Sequence, residues 1–222
     1  MRRQNKKSRA MQINSNNVIN LNNITDEELS RNPISFYVDT NIWYWLTYSN
    51  SNSEEFAPAY ATFLYRLNSL ENIKLLYSHL TFAELTAIIE GDLYHNYQTR
   101  TGLHLHKKSY RKIPRERNAV VDNISSSIHQ IAQIAEPSDD AFIEILNYIK
   151  PEDFISTLRR TNLDGTDILM ANFIKQNDVK NVITNDRDYL TINGLNIYTY
   201  DERTIEMAET QGINTNFDAI WQ

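Results

Sequence analysis

Four short apolar runs, each ending in polar residues, set the rhythm of this chain: ISFYVD at 34–39, KLLYSH at 74–79, NVITND at 181–186 and GLNIYTYD at 194–201. Each has strand length and an apolar centre, the pattern of a buried strand. Between them, apolar residues recur at helical spacing in NIWYWLTY (41–48), FAPAYATFLYRLNSL (56–70), LTFAELTAIIEGDL (80–93) and DILMANFIKQ (167–176). Residues 118–149 read as helical apart from a break at Glu136-Pro137-Ser138. Strands alternating with helices predict an α/β protein: a three-layer α/β/α arrangement around a central, mostly parallel sheet.

The flanks and the middle depart from this rhythm. Residues 1–33 are polar and Asn-rich and are expected to form a flexible leader, with one short helix near Thr25–Ser30 opened by a Thr25-x-x-Glu28 capping box. The ordered domain is expected over 34–205, with a basic helical insertion at about 94–123 and a peripheral tail at 206–222. No internal repeat is visible.

Charge sharpens the picture of the insertion. The chain carries a net −6, yet residues 100–117 hold Arg100, Lys107, Lys108, Arg111, Lys112, Arg115 and Arg117 against Glu116 alone. That segment is +6, which leaves −12 for the rest. Such a basic arm on an acidic body suits nucleic-acid phosphates, and a solvated helix face would produce the same composition. The 222 residues contain no cysteine, which excludes disulfides, thiolate zinc sites and cysteine nucleophiles. No apolar run has the length of a membrane span. A cytoplasmic protein is expected.

The five glycines form neither a GxGxxG nor a Walker loop, and no GxSxG elbow exists. His104 and His106 are the nearest approach to a paired-histidine ligand set, without an HExxH partner motif. What remains is carboxylates at strand ends, where parallel α/β sheets place their sites. Asp39 ends the first apolar run and Asp186 the third, Glu84 lies in the helix after the second, and Asp167 opens the helix before the third. Each has a plain alternative: Asp39 and Asp186 as helix caps or turn acids, and Glu84 as the partner of Thr81 in a Thr-x-x-Glu capping box. Two like charges 4 Å apart repel by roughly 4 kcal/mol at an effective dielectric of 20, so four together require protons or a cation. Oxygen-only ligands favour Mg²⁺ or Mn²⁺.

VDTNIW (38–43), Glu84 within TFAELT, DILMA (167–171) and ITNDRDY (183–189) resemble, in order, the four motifs of PIN-domain ribonucleases. The resemblance covers residues 34–201, with 90–160 poorly matched. It implies a metal-dependent endoribonuclease with Asp39, Glu84, Asp167 and Asp186 around the ion. Thr40, Asn41, Thr184, Asn185 and Asp188 would support them. It also implies an RNA substrate for the basic arm, and it admits an antitoxin-like inhibitory partner and a homodimer. Among Trp43, Tyr44 and Trp45, base stacking competes with core packing, and packing is expected for at least two. The competing classes are a nuclease-inactive PIN module used for binding, and a haloacid-dehalogenase-like phosphatase. The latter expects a second Asp where this chain has Asn41.

Overall fold

The computed structural model describes residues 11–51, 55–138, 150–176 and 179–218. Its strands are β1 (Asn17–Asn20), β2 (Ile34–Val38), β3 (Ile73–Tyr77), β4 (Glu136–Pro137), β5 (Asn181–Ile183) and β6 (Asn196–Thr199). They form one sheet in the order β1-β6-β5-β2-β3-β4, every pairing parallel. The described helices are α1 (Asp26–Ser30), α2 (Thr40–Thr47), α3 (Ala57–Asn68), α4 (His79–Thr101), α5 (Lys107–Tyr110), α6 (Pro114–Ile134), α7 (Pro151–Arg160), α8 (Gly165–Gln176) and α9 (Glu202–Thr210).

A parallel sheet is covered on both faces, and strand alternation divides this chain into two cores. On one face Ile34, Phe36 and Val38 of β2 join Ile19, Ile183 and Tyr198 under α2, α3, α4 and α6. On the other, Tyr37, Val18, Val182 and Ile197 meet Ile168, Met170, Phe173 and Ile174 of α8 and Ala208 of α9. Chain direction explains the division. From β2 the chain steps outward through β3 to β4 with helices on the first face. It then returns across the sheet to β5 by way of α7 and α8 on the second. Right-handed crossovers in opposite directions place their helices on opposite faces. After β2 the chain moves towards β3, and after β5 it moves the other way, to β6. The crevice between the carboxyl ends of β2 and β5 is therefore a topological switch point, where such sheets hold their ligands.

Three expectations need correction. The polar leader contains β1, whose Val18 and Ile19 are fully buried, followed by buried Leu21, Ile24 and Leu29. The Thr25–Glu28 capping box forms as read. β1 is held by an asparagine ladder in register with its neighbours: Asn17 Nδ2 donates to Asn196 Oδ1 at 2.8 Å, and Asn196 Nδ2 to Asn181 Oδ1 at 3.0 Å. The tail is likewise built in. Asn214 bridges to Asn17, the Gln211 amide bonds Met11 and Ile13, and Phe217 is buried. Finally, the helix break at Glu136–Pro137 is the edge strand β4, paired with Leu76 and Tyr77. The expected helical stretch over 139–149 lies outside the described residues.

The ladder makes a direct stability prediction. Asn181 Oδ1 accepts from Asn196 and also, at 3.1 Å, from the hydroxyl of buried Tyr198. Asn181→Ala should cost about 1–3 kcal/mol by stranding that hydroxyl. Thermal denaturation should show it as a drop of roughly 2–4 °C per kcal/mol. Adding Tyr198→Phe should recover part of the loss; no recovery would locate the cost elsewhere in the ladder.

Candidate active site

Asp39 follows β2 directly and occupies the N-cap position of α2, with φ −63° and ψ 149°, yet its side chain makes no capping hydrogen bond. Instead Thr184 Oγ1 donates to Asp39 Oδ2 at 2.7 Å, tying the ends of β2 and β5 together. The same hydroxyl oxygen accepts from Asp186 N at 2.9 Å, so one threonine fixes both acids. Asp186 Oδ1 accepts from Asp188 N at 2.9 Å and opens the 3₁₀ turn Arg187–Thr191. For Asp186 the cap-and-turn role is real. For Asp39 it is not.

Glu84 needs a correction of its own. The helix opens one turn earlier than Thr81, because β3 runs straight into Ser78, which caps α4 and forms its box with Thr81. Glu84 is thus in the second turn and free of capping, and Thr40 Oγ1 donates to its Oε2. Asp167 has a double commitment. Asp164 Oδ1 accepts from the Thr166 and Asp167 amides at 2.8 and 3.0 Å, and Asp167 Oδ2 accepts in return from Asp164 N at 3.2 Å.

The acids act on one another electrostatically. Asp39 is 6% exposed. Its carboxyl is pushed up to about 7, chiefly by burial, with Asp186 and Glu84 adding repulsion against the pull of the Thr184 hydrogen bond. Burial also raises Glu84, and Asp167 and Asp164 push it further. Asp167 is raised first by burial and then by Asp164, Asp186 and Asp188. Asp188 is raised by burial and by Asp186, and a hydrogen bond with the Asn162 side chain opposes the shift. Asp164 thus belongs to the cluster, although its sequence position suggests only a turn. Among the described residues no three His, Asp or Glu side chains stand close enough to hold an ion on their own. That donor set fits a cation that keeps several waters and takes one or two carboxylates, as Mg²⁺ does.

Of the supporting residues, Thr40 and Thr184 hold Glu84 and Asp39. Asn185 Oδ1 lies 3.2 Å from the Tyr60 hydroxyl, which is also 3.1 Å from the Thr184 carbonyl and accepts from Tyr200 N. Tyr60 carries no sequence signal, since it sits at core spacing in α3. Asn41 takes no part in these bonds and lines a neighbouring groove together with Trp45. Trp43 is buried in the core.

The basic arm is a folded helical element. Its helices α5 and α6 close over the end of α4 around Tyr97, Tyr110 and Val120. Gly102 ends α4 in the left-handed conformation, at φ 69°, that favours glycine. Three of the seven cations are committed within the protein. Arg111 makes a two-pronged ion pair with Glu90, which is 5% exposed, and Arg117 approaches the same carboxylate at 3.8 Å. Arg100 pairs with Glu116 at 2.8 Å. Lys107 Nζ lies over the Tyr94 ring. Lys108, Lys112 and Arg115 are exposed. The His106 ring caps α5, accepting from Lys108 N at 3.2 Å, and His104 is exposed.

A family profile described as PIN domain matches residues 36–195. The chain belongs to the PIN-domain family. The matched span runs from β2 to the threshold of β6, so β1, β6 and α9 lie outside it. In fold the PIN domain is similar to VapBC2 from Rickettsia felis, solved bound to a DNA fragment from their promoter. There the identity is 15%, the coverage 74% of this chain and 97% of that one, and the TM-score 0.43. It is similar also to FitAcB from Neisseria gonorrhoeae, at 20% identity, 75% and 99% coverage and a TM-score of 0.41. No curated protein sequence matches it.

The raised carboxyl of Asp39 makes stability depend on pH. Between its ordinary 3.8 and about 7 the folded PIN domain holds this proton more tightly than the unfolded chain does. The stabilisation is complete below that window and is lost as pH rises through it. Without divalent cations, Asp39→Asn should therefore melt several degrees above wild type at pH 8, each kcal/mol being worth roughly 2–4 °C. The gap should shrink steadily as pH falls through the window and close only below about 3.8, and excess MgCl₂ should narrow it at pH 8. A gap independent of pH would assign it to packing.

Proposed function

We propose that this PIN domain is a metal-dependent endoribonuclease that hydrolyses RNA phosphodiester bonds, with Asp39, Glu84, Asp167 and Asp186 around Mg²⁺ or Mn²⁺. The observation that carries the reading is Asp39. It stands where an aspartate would cap a helix, leaves the cap unmade, and is buried instead among other acids at the switch point. Such an arrangement destabilises the protein unless protons or a cation offset it, and only a cation does so once the acids are ionised. RNA as the substrate comes from the family resemblance.

When bound, the ion supplies a Lewis acid that activates water and offsets charge on the reacting phosphate. The protein's own groups do the positioning. Thr184 holds Asp39 against Asp186, and Thr40 holds Glu84, whose raised proton affinity suits it to take a proton from the attacking water. Asp167 contributes one carboxylate face and is kept on the helix by the other. The arm supplies phosphate contacts, and the exposed cations Lys108, Lys112 and Arg115, unpaired among the described residues, are its candidates. Arg100, Arg111 and Arg117 are held by acids of the protein. An antitoxin-like inhibitory partner, a homodimer and a cytoplasmic location belong to the same proposal. The phosphatase alternative is displaced by the family match and by Asn41. The inactive binding module is the outcome that an absence of cleavage would select.

Purified protein with single-stranded and structured RNA should cleave in Mg²⁺ or Mn²⁺ and be silent in EDTA. Asp39→Asn should abolish cleavage. Glu84→Gln should lose about 10²–10⁴-fold in rate with its melting temperature unchanged or raised, since Glu84 caps nothing. Full activity in Glu84→Gln would remove it from the chemistry.

Binding should separate from turnover. Replacing Lys108, Lys112 and Arg115 with Ala should lower the log–log salt slope of single-stranded RNA binding by about 0.7 per lost contact. Cleavage at saturating RNA should survive. An unchanged slope would make the arm a surface for a protein partner.

A further inference from the structure

Beside the acid cluster, towards β6, lies a groove of about 770 Å³. Its volume is in the range of pockets that take small organic ligands. Asp186 lies on its inner wall, so the groove is continuous with the proposed site of hydrolysis. Trp45 and Phe56 supply its flat apolar surface. Trp45 is half-buried, and its ring rests against that of Tyr60 at 5.9 Å, so the platform is fixed by the core. The side chain of Asn41, one turn earlier on the same face of α2, makes no hydrogen bond among the described residues. Asn185 uses its oxygen towards Tyr60, which leaves its amide N–H groups to donate.

The charges in this groove decide what it suits. Arg187 is neutralised by Asp201 at 2.7 Å, and the Arg187 Nε also bonds Asp201 at 2.8 Å. What remains is Glu55 and Glu202 at the edge, with Asp186 on the inner wall, against Arg203. A surplus of carboxylate repels a run of phosphates but accepts hydrogen bonds from an amine. The groove is thus matched to a neutral, planar group with polar edges, next to a site that handles a phosphodiester.

We infer that this groove is a nucleobase subsite: it stacks one base of the substrate on Trp45 and reads its edge with Asn41, Asn185 and the rim carboxylates. The inference rests on the nuclease reading for its setting. Bases with an exocyclic amine, adenine, cytosine and guanine, offer that NH₂ as a donor to Glu55 and Glu202. Uracil lacks the amine and has only its ring N3–H to donate, so cleavage acquires a preference at one position beside the scissile bond. The identity of this protein's subsite residues is independent of the basic arm, which meets phosphates.

Nucleosides test it without chemistry and without phosphate repulsion. Adenosine, cytidine and uridine are titrated by NMR into the full-length, metal-free protein. The same is done with Trp45→Phe and Trp45→Leu, each checked for an unchanged melting transition. Adenosine and cytidine should bind ahead of uridine. Trp45→Phe should retain binding, and Trp45→Leu, which fills space but cannot stack, should weaken it about 5–150-fold. In RNA cleavage, Trp45→Leu should flatten the base preference at one position. Nucleoside binding that is absent, that favours uridine, or that survives Trp45→Leu intact would overturn the subsite while leaving cleavage of RNA to stand. Nucleoside binding lost in Trp45→Leu, in a protein that cleaves no RNA with Mg²⁺ or Mn²⁺, would keep the subsite and sink the nuclease reading.

Discussion

Mutual repulsion among carboxylates is the constraint around which this protein is arranged. Burial and like charge drive the Asp39 carboxyl up to about 7, and Glu84, Asp167 and Asp188 are raised with it. A cluster of this kind cannot hold itself together. The fold holds it, through a sheet buried on both faces and through two threonine hydroxyls that pin acids from different segments. Thr184 is the more consequential of the two, because it joins the ends of β2 and β5 across the crevice and bonds both Asp39 and Asp186.

The carboxylates respond to this constraint in different ways. Asp186 and Asp167 also serve as caps, so part of each charge is met by backbone amides. Glu84 receives a hydroxyl donor instead, and Asp39 a hydroxyl together with a hydrogen bond from the Thr40 backbone. Hydroxyls can turn aside when a better partner arrives, whereas helix amides are fixed. Glu84, which receives no amide, is therefore the freest to rearrange, and the acids met by amides provide the frame.

Much of the sheet was legible because it is written in local pattern. ISFYVD, NVITND and the run ending in Asp201 read as strands from their apolar centres, and the acids stood at their ends. β1 was hidden because its stability comes from partners far along the chain: Asn17 looks like a leader residue until Asn196 and Asn181 are beside it. β4 was hidden by its size and by Pro137. At Glu84 the local rule misled, since Thr81-x-x-Glu84 reads as a capping box while Ser78 takes the cap first. A count of charges could not tell that Arg111 and Arg117 converge on Glu90, because the pairing depends on α5 and α6 folding back along α4.

The position of β1 bears on the order in which the molecule is made. Of the described strands it comes first in chain order, and its neighbour in the sheet, β6, comes last. Contacts this distant in sequence form late and slowly. While the chain is growing, β1 has no ladder to join, and Thr184 does not yet exist to clasp Asp39. The crevice closes only when the final third of the chain has arrived, so a partly made molecule carries its first acid without the partners that would complete a site.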